Sequence, residues 1–198
     1  MTYLLGFLNV VVQIIFGIMI FIVLARFILQ AVRADFYNPI SQMFIRASNP
    51  LLRPLRKLIP GLFGLDMAAL VLLIGLQCLE LVITHSIEGQ ALHGPVLFLI
   101  ESLGLLIWHA ALLYLICLFM IIAASWINPA AYQHPLVQIA IQITNPIMRP
   151  ARRILPAQNG IDFSPILALI FIFAIMFLVA APLIDLPHRP SFTINTLP

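Results

Sequence analysis

The chain has 198 residues, 63% of them hydrophobic and only 9% charged, with a formal net charge of +3. Soluble domains carry about 25% charged residues, so this composition excludes an ordinary water-soluble fold and points to a bilayer. Four apolar stretches, 4–29, 62–84, 96–124 and 163–186, each reach the roughly 20 residues a helix needs to cross. With two connecting loops they use up nearly the whole length and leave no room for a soluble domain.

The first span starts almost at the N-terminus, with no basic segment and no cleavage site ahead of it, and is read as a retained helix. It carries Asn9 and Gln13 on one face. In the loop that follows, Ile40, Met43, Phe44 and Ala47 recur at i, i+3, i+4 and i+7, the period of a short amphipathic helix. Pro39 suits its first turn, where a missing N–H does no harm. The expectation is a helix lying in the headgroup plane with its apolar face down. Next comes Asn49-Pro50-Leu51-Leu52-Arg53-Pro54-Leu55-Arg56-Lys57-Leu58-Ile59-Pro60. Its prolines argue against one continuous helix and for a kinked, partly extended route. Gly64 and Asp66 then open the second span. Asp66 sits where it can cap the free N–H groups of that helix, and where it can pair with the arginines just before it.

Inside the second span, Gln77 and Glu80 share a face. The outer loop, 85–95, has no Lys or Arg. The third span brings Glu101 to about the height of Glu80, with His109 deeper. Cys78 and Cys117 fall in different spans without paired-Cys spacing and read as small buried hydrophobes. After the third span the earlier pattern returns, displaced by 96 residues. Leu136, Ile139, Ala140 and Ile143 repeat the amphipathic period behind Pro135. Asn145-Pro146-Ile147-Met148-Arg149-Pro150-Ala151-Arg152-Arg153-Ile154-Leu155-Pro156 repeats the proline sentence, and Gly160 and Asp162 open the fourth span. The chain is therefore expected to be two units, 1–84 and 96–186, joined by 85–95 and followed by an outer tail, 187–198.

Arg33, Arg46, Arg53, Arg56, Lys57, Arg149, Arg152 and Arg153 all lie in the two repeat loops, against Arg189 alone on the other side. That bias puts both loops in the cytoplasm and both termini outside. The two units then share one topology, as parallel repeats. The fold class is all-α: four transmembrane helices as two parallel two-helix repeats, each with a cytoplasmic amphipathic helix and a Pro/Arg-rich loop.

The motif Asn-Pro-x-x-Arg-Pro-x-Arg-basic-x-x-Pro, with Gly160-Ile161-Asp162-Phe163-Ser164-Pro165 behind the second copy, resembles the YggT family of small integral membrane proteins. The resemblance covers 26–84 and 122–184. The second copy is the fuller one, keeping Ser125-Trp126, while the first has Met67-Ala68-Ala69-Leu70 in place of the Ser-Pro step. The resemblance implies a membrane assembly or scaffold role. Related proteins are connected with osmotic tolerance, with division or nucleoid organisation, and with cytochrome maturation. It supplies no catalytic residues.

Two sets of residues are candidates for function. Arg53, Arg56, Lys57, Arg149, Arg152 and Arg153 can dock anionic lipid headgroups or a protein partner, around the structural residues Asn49, Pro50, Pro54, Asp66, Asn145, Pro146, Pro150 and Asp162. Gln13, Gln77, Glu80, Glu101 and His109 form an intramembrane polar set, which by default suggests a site and in the plainer reading is hydrogen-bonded helix glue. The set is asymmetric, because Gln77 and Glu80 correspond to Phe173 and Met176.

No nucleophile elbow, phosphate loop or metal-binding pattern is present, and His85, His93, His109, His134 and His188 show no ligand spacing. No enzyme activity, cofactor, metal or nucleic acid is expected. The expected role is a non-catalytic inner-membrane scaffold that docks a partner, a second copy or anionic phospholipid. The alternative is a small transporter or channel component.

Overall fold

The computed structural model describes residues 2–62, 64–90, 94–127, 129–156 and 162–188. Gly160, Ile161, His93 and most of the tail, including Arg189, lie outside them. The described residues are helical, apart from a tight Leu62–Leu65 bridge in which each backbone N–H donates to the other's carbonyl. Gly64 supplies the positive φ of 80° that this turn requires.

The long helices are α1 (Thr2–Ala31), α3 (Met67–Glu88), α4 (Pro95–Ile127) and α6 (Ser164–His188). Each is apolar and long enough to cross a bilayer. At 1.5 Å per residue α1 and α4 run about 45–50 Å, well beyond a roughly 30 Å hydrocarbon core. Between the long helices of each half lies a shorter one, α2 (Pro39–Arg56) and α5 (Pro135–Ile154). Asn38 caps α2 by accepting from Ile40 N at 2.9 Å. His134, 96 residues on, caps α5 through Nδ1, accepting from Leu136 N at 3.3 Å. Pro39 and Pro135 occupy the first turns, as the sequence suggests.

Helix α1 is antiparallel to α3. Gln30 near its end reaches Gly64 O at the start of α3, while Asn9 near its beginning donates to Glu88 at the other end. Helices α2 and α5 lie side by side at the end where α1 finishes. Asn38 Nδ2 donates to Pro135 O at 3.0 Å, and Asp35 N donates to Gln142 Oε1 at 2.7 Å. One core joins α1, α3 and α4 with α2 and α5, through Ile20, Val23, Leu52, Leu73, Leu113, Ile139 and Ile143. A second lies among α4, α5 and α6, through Leu118, Met148, Ala168 and Ile172.

Three expectations are corrected here. The proline sentences do not break their helices: α2 continues through Pro50 and Pro54, and α5 through Pro146 and Pro150. All four rings lie on exposed surface, and other donors serve the carbonyls of the turn that a proline loosens. Ser48 Oγ donates to Phe44 O at 2.6 Å, and Thr144 Oγ1, its counterpart 96 residues on, donates to Ala140 O at 2.9 Å. Arg26 donates to Ile45 O at 3.1 Å. Second, the apolar face of α5 is not left for lipid. Ile139, Ala140 and Ile143 are buried in the first core, whereas in α2 Phe44 packs edge-on to Phe21 and Met43 and Ala47 stay exposed. Third, the fourth span is not uniform. A π-helical turn at Met176–Ala180 interrupts α6 and adds a residue to one turn.

Candidate functional site

The basic sentences and the Asp residues that follow them form the same clamp twice. The Arg56 guanidinium donates from Nε and Nη2 to Asp66 Oδ2. Arg152 Nε donates to Asp162 Oδ2 at 3.2 Å. The other oxygen of each carboxylate caps the following long helix. Asp66 Oδ1 accepts from Ala69 N at 3.2 Å, and Asp162 Oδ1 accepts from Ser164 N at 2.9 Å. One side chain thus satisfies an orphan donor of the helix and holds the preceding basic helix against it. Capping and Arg pairing, which the sequence offers as separate roles for the Asp, occur together.

The two clamps differ in exposure. The Asp66 side chain is 6% exposed and that of Asp162 37%. Partial burial pushes the Asp162 carboxyl up, but hydrogen bonding by Ser164 and the charge of Arg152 outweigh it and hold the group below its ordinary 3.8.

The first unit has a further fastening. Arg26 is a buried cation in α1 that the sequence reading passed over. It donates from Nη1 to Ser48 Oγ at 2.9 Å and to Asn49 Oδ1 at 2.8 Å, besides Ile45 O. It hooks the first residue of the proline sentence onto α1. Position 122 in the second unit is Ile, and there Asn145, Arg152 and Asp162 line a cavity of about 710 Å³ with Ser125 and Trp126. With Arg56 and Arg152 engaged by carboxylates, Arg46, Arg53, Lys57, Arg149 and Arg153 are the exposed cations of α2, α5 and the residues next to them.

At the opposite end, Gln13, Gln77, Glu80, Glu101 and His109 line one cavity of about 430 Å³, together with Thr84, His85, Glu88 and Trp108. The five polar residues singled out in three different spans therefore share a single space. Gln77 Nε2 donates to Glu80 Oε2 at 2.9 Å, and His109 Nδ1 lies 2.7 Å from Leu105 O. Glu101 is buried and faces two imidazoles: His85 Nε2 is 3.6 Å and His188 Nε2 3.3 Å from its Oε1. These two histidines, far apart in sequence, reach one carboxylate only because the ends of α3 and α6 converge on the start of α4.

The CCB3/YggT family model matches the chain twice, over residues 5–87 and 100–183. An uncharacterized protein of Pseudomonas aeruginosa is 38% identical over 188 residues, covering 91% of this chain and 92% of that one. The protein YggT of Escherichia coli is 31% identical over 154 residues, covering 78% and 79%. A Vibrio alginolyticus protein is 34% identical over 160 residues, covering 79% and 84%. No solved structure matches. The chain belongs to the CCB3/YggT family.

Proposed function

We propose that this CCB3/YggT-family membrane protein is a non-catalytic scaffold of the bacterial inner membrane, with both termini outside and α2 and α5 on the cytoplasmic side as parts of two parallel repeats. Its basic helices dock anionic phospholipid or a protein partner. The observation that carries this reading is the duplicated clamp: Arg56 to Asp66 and Arg152 to Asp162. Charge that served topology alone would need no fixed geometry, because the positive-inside effect counts residues and ignores their arrangement. Here one Arg of each sentence is used to fix the helix, and Arg53, Lys57, Arg149 and Arg153 remain exposed on two helices held side by side. A rigid array of cations loses little entropy when it binds an extended anionic surface.

The test replaces Arg53, Lys57, Arg149 and Arg153 together by Gln, leaving both clamps intact. Retention of phosphatidylglycerol by the solubilised protein, and copurification of membrane or cytoplasmic proteins, should both be compared with wild type. Loss of either at unchanged abundance supports docking and says which ligand is used; unchanged lipid and protein recovery removes it. A second reading, a small transporter or channel component, is favoured by one observation, the polar cavity shared by Gln13, Gln77, Glu80, Glu101 and His109.

A further inference from the structure

We propose that His85, Glu101 and His188 form a binding site for a divalent transition-metal ion of the zinc class, at the end of the bundle opposite the basic helices. One ligand atom from each of the three lies within 4.8 Å of the other two. Both imidazole Nε2 atoms face the same carboxylate oxygen, at 3.6 and 3.3 Å. Zinc–ligand bonds of about 2.0–2.1 Å at tetrahedral angles put neighbouring ligand atoms roughly 3.3 Å apart, which is the spacing found here. Two imidazoles and a carboxylate are a donor set for zinc, cobalt, nickel or copper, and a poor one for magnesium or calcium. Glu101 Oε2 is buried with no hydrogen-bond partner, so the carboxylate has a second oxygen to offer a cation. Three protein ligands leave a fourth position open. His85 and Glu101 also line the 430 Å³ cavity, which gives that position a space to face. The His188 side chain is 44% exposed, which provides a way in for the ion.

The fold makes two local departures to bring these groups together. Gly104 lies three residues beyond Glu101, on the same face of α4. A Cβ there would come within 2.9 Å of Leu183 Cβ and Ile184 Cγ1, and 3.0 Å from Ile184 N. Only a residue without a side chain lets the last turns of α6 approach α4 this closely, and His188 is one turn past Ile184. The π-helical turn at Met176–Ala180 resets the facing of everything after it, and such turns gather at functional sites. A bound ion would tie the ends of α3, α4 and α6 into one unit. This inference is independent of docking at the basic end.

The test uses the full chain without an affinity tag, in detergent, stripped with EDTA and titrated with cobalt(II). One cobalt per chain should bind with the strong visible bands of a tetrahedral site, and zinc should displace it. His188→Ala and Glu101→Gln should each weaken binding by more than about tenfold, while His134→Ala at the other end leaves it unchanged. Zinc should raise the thermal midpoint of wild type and not that of His188→Ala, a change at an exposed terminal turn whose folding is checked by elution volume. Absence of saturable cobalt binding overturns the proposal, as does binding that His188→Ala leaves intact or that His134→Ala weakens equally. The three groups would then be a hydrogen-bonded ion-pair cluster.

Discussion

Asn38 performs two tasks with one amide: its Oδ1 accepts from Ile40 N to cap α2, and its Nδ2 donates to the carbonyl of Pro135, the first residue of α5. The two basic helices are joined at their N-terminal ends through this side chain. Asn38→Ala removes a cap worth about 0.5–2 kcal/mol and an inter-helix bond worth about 0.5–1.5 kcal/mol. His134→Ala removes only a cap at 3.3 Å. Unfolding in mixed micelles should show the larger loss for Asn38→Ala; an equal or reversed order contradicts the bridging role.

The two clamps should respond unequally to the same change. Asp66→Asn keeps a capping oxygen but strips the charge from a group 6% exposed that faces Arg56. A loss of about 1–3 kcal/mol is expected, the range for a hydrogen bond to a charged group. Asp162→Asn acts where the carboxylate is 37% exposed and water screens the pair, so less than about 1 kcal/mol should be lost. The ratio of the two stabilities checks this, and equal losses would show that burial does not separate the clamps.

Acid should release the second clamp only late. The folded carboxyl of Asp162 sits below the ordinary 3.8, so its contribution is present above that value and disappears as pH falls through the lower, folded one. The stability difference between wild type and Asp162→Asn should therefore stay flat from neutral pH down to about 4 and shrink below it. A difference that fades between pH 7 and 5 would mean a raised carboxyl, contrary to the geometry.

Glu80→Gln discriminates between the two functional readings. The replacement amide keeps an oxygen to accept from Gln77 Nε2, now at 2.9 Å from Glu80 Oε2. If the pair is helix glue, growth, abundance and stability should change little, since such bonds average well under 2 kcal/mol in membranes. Complete loss of a flux or growth phenotype, with the protein still in the membrane, would favour the transporter.

Topology is open to a direct check. Reporters active only in the cytoplasm should be on when fused after Arg56 or Arg152 and off when fused near Glu88 or at Pro198. The eight basic residues of the two loops against Arg189 set that direction. A signal from residue 88 would sink the four-span arrangement.

The four long helices were legible because twenty consecutive apolar residues have few other readings, and the Asp66 and Asp162 caps because position alone indicates them. The course of α2 and α5 was not. Proline statistics describe an isolated helix, whereas Ser48, Thr144 and Arg26 supply the bonds that let these two continue. Arg26 escaped notice because one cation within a long apolar run changes neither the hydropathy nor the charge count of the loops. Gathering Glu80, Glu101 and His109 in one place was readable from depth along the helices. The approach of His85 and His188 to Glu101 was not, since it depends on the glycine contact at position 104 and on a turn that no residue pattern announces.

That turn makes chain length itself a sensitive parameter in α6. A deletion of one residue between 176 and 180 would return the segment to ordinary α geometry, turning everything beyond it by about 100° and drawing it back by about 1.5 Å. Substitutions at Met176–Ala180 can be absorbed one side chain at a time, but a lost codon there swings His188 off Glu101 in a single step. Among descendants of this gene, the count of residues between Ile175 and His188 should drift far less than their identities.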